Sequence, residues 1–404
     1  MTADRKPGPA FVATLASITL IGPLAIHLFL PAMPSIRADF AISEALAQLT
    51  LAVALYVMAF LTLIYGGVSD RYGRRPVVMI TLYLFLAGTA VAAVADNIAV
   101  LIAGRALQAA GAAGSLALAR AMARDVFGAD RFVKVLAYLT MAYTLGPMVS
   151  PLLGGALVDE FGWRAVFAVG LVAGGAITLA AYVVLYETHP ARGRSAGGPT
   201  LAAGYARLLR SPRFLGFVFQ SGFSSGSFFV VAAGSVFLMS DYLHRPAAEY
   251  GLYFLAFPFG FILGNFLSSR LSGRIAIETM VLTGGVCIVA AGAIETGFVL
   301  AGVVTPLTIF GPGFLLTLSQ GLAMPNAQAG AIGIDPALAG TASGIGVFVQ
   351  LFLSASMAQL VGLVADGTPY PMVTILSATT LLSLASGAVP FVLSRRSKDH
   401  RKLT

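Results

Sequence analysis

The chain has 404 residues, of which 58% are hydrophobic and only 10% are charged, and its mean hydropathy is +0.87. A water-soluble domain carries far more charge, so the composition excludes a soluble globular protein and indicates a membrane protein. The formal net charge is +8. Basic loops beside an anionic membrane surface explain this value, so no nucleic-acid partner is predicted.

Twelve apolar segments run through the chain, and each is long enough to cross a hydrocarbon core about 30 Å thick as a helix. We number them spans 1 to 12. Their long runs of Leu, Ala, Val, Ile and Phe favour helices over the alternating strands of a membrane barrel. The predicted spans are residues 10–34, 45–67, 76–95, 98–121, 133–157, 164–186, 213–239, 248–269, 277–294, 298–324, 338–363 and 370–394.

Span 1 contains the stretch GPLAIHLFLPAMPSI, in which His27 is surrounded by apolar residues. The 17 carboxylates fall in loops or at span ends in this assignment, with Glu295 at a boundary. His27 is therefore predicted to be the only side chain inside the membrane that changes protonation near neutral pH. Two interpretations stay open, a proton-carrying group or a neutral hydrogen-bonding residue that lines a cavity.

The prolines of span 1 predict an irregular helix. Pro23, Pro31 and Pro34 lie with His27 roughly on one stripe of the helix. Each proline lacks an amide hydrogen and leaves a backbone carbonyl free one turn earlier, so this helix is expected to offer acceptors inside the membrane.

The loop after span 2 reads GGVSDRYGRRPVV and concentrates charge between two membrane helices. Asp70 is expected to pair with an arginine or to cap a helix, and Gly66 and Gly73 allow a tight turn. The alternative is that this loop is only a topology signal. Its basic residues are Arg71, Arg74 and Arg75.

Span 4 carries an arginine within the membrane, Arg105, which cannot lose its proton. A charge there costs a few kcal/mol unless it faces a cavity or a partner, so Arg105 is a functional candidate. Gln108 lies one turn further along the same face and is expected to hold it. The span ends at an Arg-Asp pair that contains Asp125. Small residues that favour close helix packing are Gly111, Gly114 and Ser115.

Span 5 contains GPMVSPLLGGAL, in which Gly146, Pro151, Gly154 and Gly155 interrupt a regular helix. These residues let the span bend, or pack tightly where the two halves of the chain meet, and we assign them to conformational change.

The longest polar stretch lies between spans 6 and 7 and divides the chain into residues 1–187, a linker at 188–212, and residues 213–404. The second half of the linker predicts an amphipathic surface helix, and for its first half a solvated loop is an equal alternative. Further residues predicted to line a central cavity are Tyr56, Tyr143, Gln220, Phe223, Ser224, Phe257, Asn265 and Gln350.

Basic residues also predict the orientation. Of the 25 lysines and arginines, only Arg37, Arg164 and Arg245 fall in loops on the side opposite the N-terminus. Because cytoplasmic loops hold the excess of basic residues, both termini are predicted to be cytoplasmic.

Five stretches carry a family resemblance. The loop after span 2 resembles the signature loop of the major facilitator superfamily. GPLAIHLFLPAMPSI, RALQAAGAAGSLALARAMARDVF, GPMVSPLLGGAL and AGTASGIGVFVQ, in spans 1, 4, 5 and 11, are similar to motifs of the Bcr/CflA-type drug/proton antiporters of that superfamily. The position of His27 is usually an aspartate in this group, and that acid is missing here.

The resemblance implies an all-α major facilitator fold, with twelve transmembrane helices in two pseudo-symmetric six-helix bundles. It implies a transporter of the bacterial cytoplasmic membrane, not an enzyme, that works as a monomer and exports small drug-like molecules by alternating access. Without a buried acid, neutral or anionic, phenicol-like substrates are expected. The alternative is an exporter or facilitator of a metabolite without proton coupling.

No metal or organic cofactor is predicted, and the resemblance implies a proton gradient as the energy source. The single cysteine, Cys287, belongs to no Cys or Cys/His metal spacing.

Overall fold

The computed structural model describes residues 8–189 and 201–403. Within them, twelve helical segments are long and apolar enough to cross a membrane. Spans 1 to 12 are Pro9–Asp39, Glu44–Tyr72, Arg74–Ala93, Ile98–Gly128, Arg131–Phe161, Arg164–Val184, Pro212–Tyr242, Ala247–Leu271, Ile277–Leu300, Pro306–Ile332, Pro336–Val364 and Tyr370–Arg395. The predicted all-α membrane architecture is confirmed.

The boundaries between spans 9 and 10 differ from the predicted ones. Span 9 continues to Leu300, and span 10 begins only at Pro306. Thr305 and Thr308 form a capping box that starts span 10. Glu295 therefore lies inside span 9 with 0% of its surface exposed, and the expectation that carboxylates are confined to loops and span ends is wrong there. A single acid lowers hydropathy without ending a helix.

Span 1 is not one regular helix. It consists of helices Pro9–Thr19 and Ile21–His27, a 3₁₀ turn at Leu30–Ala32, and a helix at Met33–Asp39. Prolines stand in the first turn of the last two elements, where a missing amide hydrogen costs little. The predicted irregularity is confirmed, and the helix interruption directly follows His27.

Spans 4 and 5 share one long helix, Ser115–Phe161, which is interrupted only at Gly128. The φ of Gly128 is 59°, a left-handed conformation that glycine adopts at little cost, and this residue separates the two spans.

The glycines of span 5 pack at close range, as predicted. A Cβ atom at Gly146 or Gly155 would lie 2.2 Å from its neighbour, and one at Gly154 would lie 2.4 Å away. Side chains larger than hydrogen are excluded at these three positions without a shift of the neighbours. The neighbours of Gly146, Gly154 and Gly155 are Pro23, Leu28 and Ala247, in that order.

The chain divides into two compact units. The first comprises Met1–Ser195 and Pro246–Leu252, and the second comprises Ala196–Arg245 and Tyr253–Thr404. Within the predicted linker, residues 190–200 lie outside the described residues. The chain that follows them forms the helix Leu201–Leu209.

In the first unit, spans 3 and 4 approach most closely through glycine. A Cβ at Gly88 would lie 2.1 Å from the backbone nitrogen of Gln108, and one at Gly111 would lie 2.2 Å from that of Phe85. This contact brings Arg105, which is three residues before Gln108, against the interior of the unit.

In the second unit, span 9 packs between spans 10 and 12. A Cβ at Gly284 would lie 2.6 Å from the Cβ of Ala323, and one at Gly285 would lie 3.2 Å from the Leu384 side chain. Small residues therefore bring one face of span 9 into the core of the unit, and Glu295 lies on the same face further along.

Candidate functional site

Arg105 is buried, with 1% of its surface exposed, and three groups hold its guanidinium. Nη1 donates to the Ala25 carbonyl at 2.6 Å and to Gln108 Oε1 at 2.5 Å. Nε donates to the Thr50 carbonyl at 3.3 Å. The predicted bond from Gln108 is confirmed. The arginine thereby joins spans 1, 2 and 4.

The acceptor in span 1 exists because that span is broken. Ala25 lies two residues before the end of the helix Ile21–His27, so its carbonyl has no regular helical partner ahead. Gln108 is itself held, because its Nε2 donates to Thr89 Oγ1 at 2.9 Å. The result is a polar network inside an apolar unit.

One nitrogen of Arg105, Nη2, is buried and has no hydrogen-bond partner among the described residues. A small cavity borders the guanidinium and has apolar walls that include Phe85 and Phe167. The ring of Phe29 lies under the guanidinium carbon at 4.0 Å from its centroid. The site thus presents a buried cation with unused donor capacity to an apolar pocket.

His27 is the last residue of the helix Ile21–His27 and is 9% exposed. It lies two residues after the Ala25 carbonyl that binds Arg105. Pro31 follows in the buried 3₁₀ turn. The position puts the imidazole where span 1 is interrupted.

Arg74 is the centre of the charged loop after span 2. Its Nη1 contacts Asp70 at 2.7 Å and Ser69 Oγ at 2.5 Å, and its Nε contacts Asp125 at 3.0 Å. The side chain of Arg74 is 5% exposed, whereas that of Asp70 is 59% exposed. The predicted pairing of Asp70 with an arginine is confirmed, and Arg74 connects spans 2, 3 and 4.

Glu187, just after span 6, caps the helix that begins at Arg74. Its carboxylate accepts from the backbone nitrogens of Arg74 at 2.9 Å and Arg75 at 3.3 Å. Gly73 has a φ of 100°, and a Cβ there would lie 2.5 Å from Glu187 Oε2, so only glycine fits this turn. Arg75 also donates to the Tyr182 carbonyl at 3.1 Å. Gly66 and Arg71 are exposed.

The remaining predicted cavity residues include two tyrosines of the first unit and two amide-bearing residues of the second. Tyr143 is 38% exposed and Tyr56 is partly buried. Asn265 is partly buried and its amide donates to the Phe261 carbonyl at 2.8 Å. The Nε2 atom of Gln350 is buried without a hydrogen-bond partner in the described chain.

Gln220 and Ser224 are fully buried on span 7. The side-chain amide of Gln220 and the hydroxyl of Ser224 find no hydrogen-bond partner among the described residues. The backbone carbonyl of Ser224 accepts from Gln320. Phe223 stacks with Phe219.

Phe257 belongs to an aromatic cluster. It is 1% exposed, and its ring contacts those of Phe228, Phe254 and Phe310 at centroid distances of 5.0–5.6 Å. This packing places Phe257 in the core of the second unit.

Sequence reasoning did not assign Glu187, Ser69, Gln320 or Glu295. Glu187 bonds a residue 113 positions away, which no local pattern predicts. No proline stands between residue 294 and Gly302, whose φ is 72°, so the sequence allows the helix to continue past Glu295.

A family model described as Major Facilitator Superfamily matches residues 15–359. The chain belongs to the Major Facilitator Superfamily. It is therefore an integral membrane transporter rather than an enzyme, with a small-molecule substrate and the lipid bilayer as its surroundings.

Relatives and a solved structure agree with this family. A bicyclomycin resistance protein homolog of Haemophilus influenzae is 28% identical over 405 residues, which covers 98% of this chain and 99% of that protein. Multidrug resistance protein D of Escherichia coli is 27% identical over 359 residues, or 88% of this chain and 89% of that protein. The resemblance to the Bcr/CflA group is confirmed.

The crystal structure of a bacterial homolog of the human lysosomal transporter Spinster superposes with a TM-score of 0.74. It is 16% identical and covers 96% of each chain. The predicted major facilitator fold is confirmed.

We expect both Arg105→Lys and Arg105→Ala to lose most transport. An ammonium lacks the planar fork that reaches Ala25, Thr50 and Gln108 at once. Each lost hydrogen bond to a charged group costs about 1.5–3 kcal/mol. Transport and thermal stability in detergent measure the effect, with the exposed Arg124→Lys on the same span as control. Full activity of Arg105→Lys would show that only a positive charge is needed.

We expect Asp70→Asn to abolish transport with little change in abundance. Arg74 keeps its bonds to Asp125 and Ser69, so the fold persists, but the exposed half of the charge cluster is gone. Transport per molecule in membranes measures the effect. The matched control is Asp96→Asn in the exposed loop after span 3. Normal transport by Asp70→Asn would reduce this loop to a topology signal.

Proposed function

We propose that this transporter exports small amphipathic, drug-like molecules in exchange for protons, by alternating access. Neutral or anionic substrates, phenicol-like in chemistry, fit the proposal best. The names of two relatives, a bicyclomycin resistance protein homolog and multidrug resistance protein D, support drug export. The basic loops support cytoplasmic termini and a bacterial cytoplasmic membrane.

The observation that carries the substrate class is the buried Arg105. Its guanidinium is held by carbonyl and amide oxygens, without an ion pair among the described residues, and Nη2 is unused. Such a cation attracts carbonyl, hydroxyl or carboxylate oxygens and repels cationic drugs. The rings of Phe29 and Phe85 lie beside the guanidinium and make its surroundings apolar.

His27 is the proposed proton-coupling group of the first unit. It is buried at the interruption of span 1, and imidazole titrates in the range where a transmembrane pH difference operates. Its presence where the family usually has aspartate also favours a second candidate, a facilitator or metabolite exporter without proton coupling.

The substrate class is tested in a bacterial host that lacks its own drug pumps. We expect the transporter to protect growth against chloramphenicol and bicyclomycin, but not against methyl viologen, a dication. Arg105→Ala at equal abundance should give no protection. Protection against the dication alone would contradict the proposed substrate class, and no protection by the wild type would contradict drug export.

Proton coupling at His27 is tested by chloramphenicol-induced proton release in everted vesicles. We expect His27→Gln to abolish release, because glutamine keeps hydrogen bonding but does not titrate. His27→Asp should restore release with a shifted pH optimum, since it supplies an ionisable acid. Undiminished release by His27→Gln would remove His27 from the proton path, and absent release by the wild type would favour the uncoupled alternative.

A further inference from the structure

We propose that Glu295 is a proton-binding site of the second unit, and that its proton is exchanged in each transport cycle. The inference rests on the proposed export in exchange for protons. His27 and Arg105 belong to the first unit, and Glu295 gives the second unit an ionisable group of its own.

Glu295 lies on the interior face of span 9. Its surface is 0% exposed, and Val281, Ile288 and Val299 are buried on the same face. Fewer than two helical turns separate Glu295 from the end of the span at Leu300. A carboxyl group is thus placed in the apolar core of a membrane-spanning unit.

Neither oxygen of the Glu295 carboxyl has a hydrogen-bond partner among the described residues. The neighbouring hydroxyls are used elsewhere. Thr296 donates to the Gly292 carbonyl at 2.8 Å, and Thr380 donates to the Ser377 carbonyl at 3.0 Å. A carboxylate in this place would be desolvated and unbonded.

Among the described residues, no cation stands near Glu295 on the elements packed against span 9. These are spans 7, 10 and 12. Their described basic residues are Arg213, which pairs with Glu278 at the start of span 9, and Arg395 at the far end of span 12. The distance from Glu278 to Glu295 along the helix is about 25 Å.

The remaining titratable groups on these spans also lie at the ends. Span 10 has none in its sequence. Asp241 and Tyr242 stand at the end of span 7, Tyr370 begins span 12, and Cys287 of span 9 is exposed. Among the described residues, the spans around Glu295 therefore place no counter-ion beside its carboxyl group, and the two carboxyl oxygens receive no hydrogen bond.

A proton on the carboxyl removes the charge that this core cannot accommodate. If neutrality were the only requirement, an apolar side chain of similar volume would serve at least as well. The presence of a carboxyl group here is instead explained if it binds a proton in this conformation. It releases that proton when the unit opens to water.

The proton itself is tested on the wild-type transporter with dicyclohexylcarbodiimide, an apolar reagent that modifies protonated carboxyl groups. Modification is located by mass spectrometry across a range of pH. We expect modification at Glu295 and not at Glu278, which is ion-paired. Chloramphenicol should lower it. Absence of modification at Glu295 at every pH would overturn the proposal, whether or not the protein exports drugs.

The coupling role is tested in proteoliposomes with radiolabelled chloramphenicol. Glu295→Gln closely matches the shape of the protonated acid but cannot titrate. We expect this variant to lose accumulation driven by a pH gradient while it keeps downhill equilibration. Glu278→Gln, the same change on the same helix, should keep both.

The outcomes separate this inference from the proposed function. Wild-type vesicles without pH-driven accumulation would contradict proton-coupled export, and the carbodiimide result would still judge Glu295. Wild-type accumulation that Glu295→Gln retains in full would overturn Glu295 as a coupling group. Loss of downhill equilibration by Glu295→Gln as well would assign it a structural role instead.

Discussion

A charged side chain inside a bilayer has to find its hydrogen-bond partners within the protein, and the first unit is arranged around that constraint at Arg105. A regular helix offers no spare carbonyl, but the interruption of span 1 after His27 leaves the Ala25 carbonyl available. The buried arginine and the broken helix therefore stabilise each other. The same break gives an apolar unit a polar interior, which the proposed export of amphipathic molecules requires.

Two carboxylates of this chain bond backbone amides at the start of a helix. Glu187 caps the helix that begins at Arg74, and Asp159 accepts from the backbone nitrogens of Ala247 and Ala248 at 3.0 and 2.8 Å. Glu295 departs from that use, since it lies within a span and receives no such bond.

Local features of the site were predictable from sequence. The hydrogen bond between Arg105 and Gln108 follows from their spacing on one helix, and the irregular span 1 follows from its prolines. Contacts between distant segments were not, as the cap of Arg74 by Glu187 illustrates. Hydropathy predicted that span 9 ends before Glu295, because an acidic residue lowers the hydropathy of a segment. The helix in fact continues to Leu300, and the packing that buries the Glu295 side chain cannot be read from hydropathy.

The two candidate proton carriers differ in what a proton does to buried charge. A proton on His27 adds a positive charge to a unit that already buries Arg105, two residues from the carbonyl that this arginine binds. A proton on Glu295 removes a negative charge from a core in which no described residue places a cation nearby. Charge in a low-dielectric core is costly. Burial therefore favours the protonated, neutral form of Glu295 and disfavours the protonated, charged form of His27. Under the proposed exchange for a neutral substrate, each proton carried inward moves one positive charge across the membrane potential, worth about 2.3 kcal/mol per 100 mV. Export would then draw on the potential as well as on the pH difference.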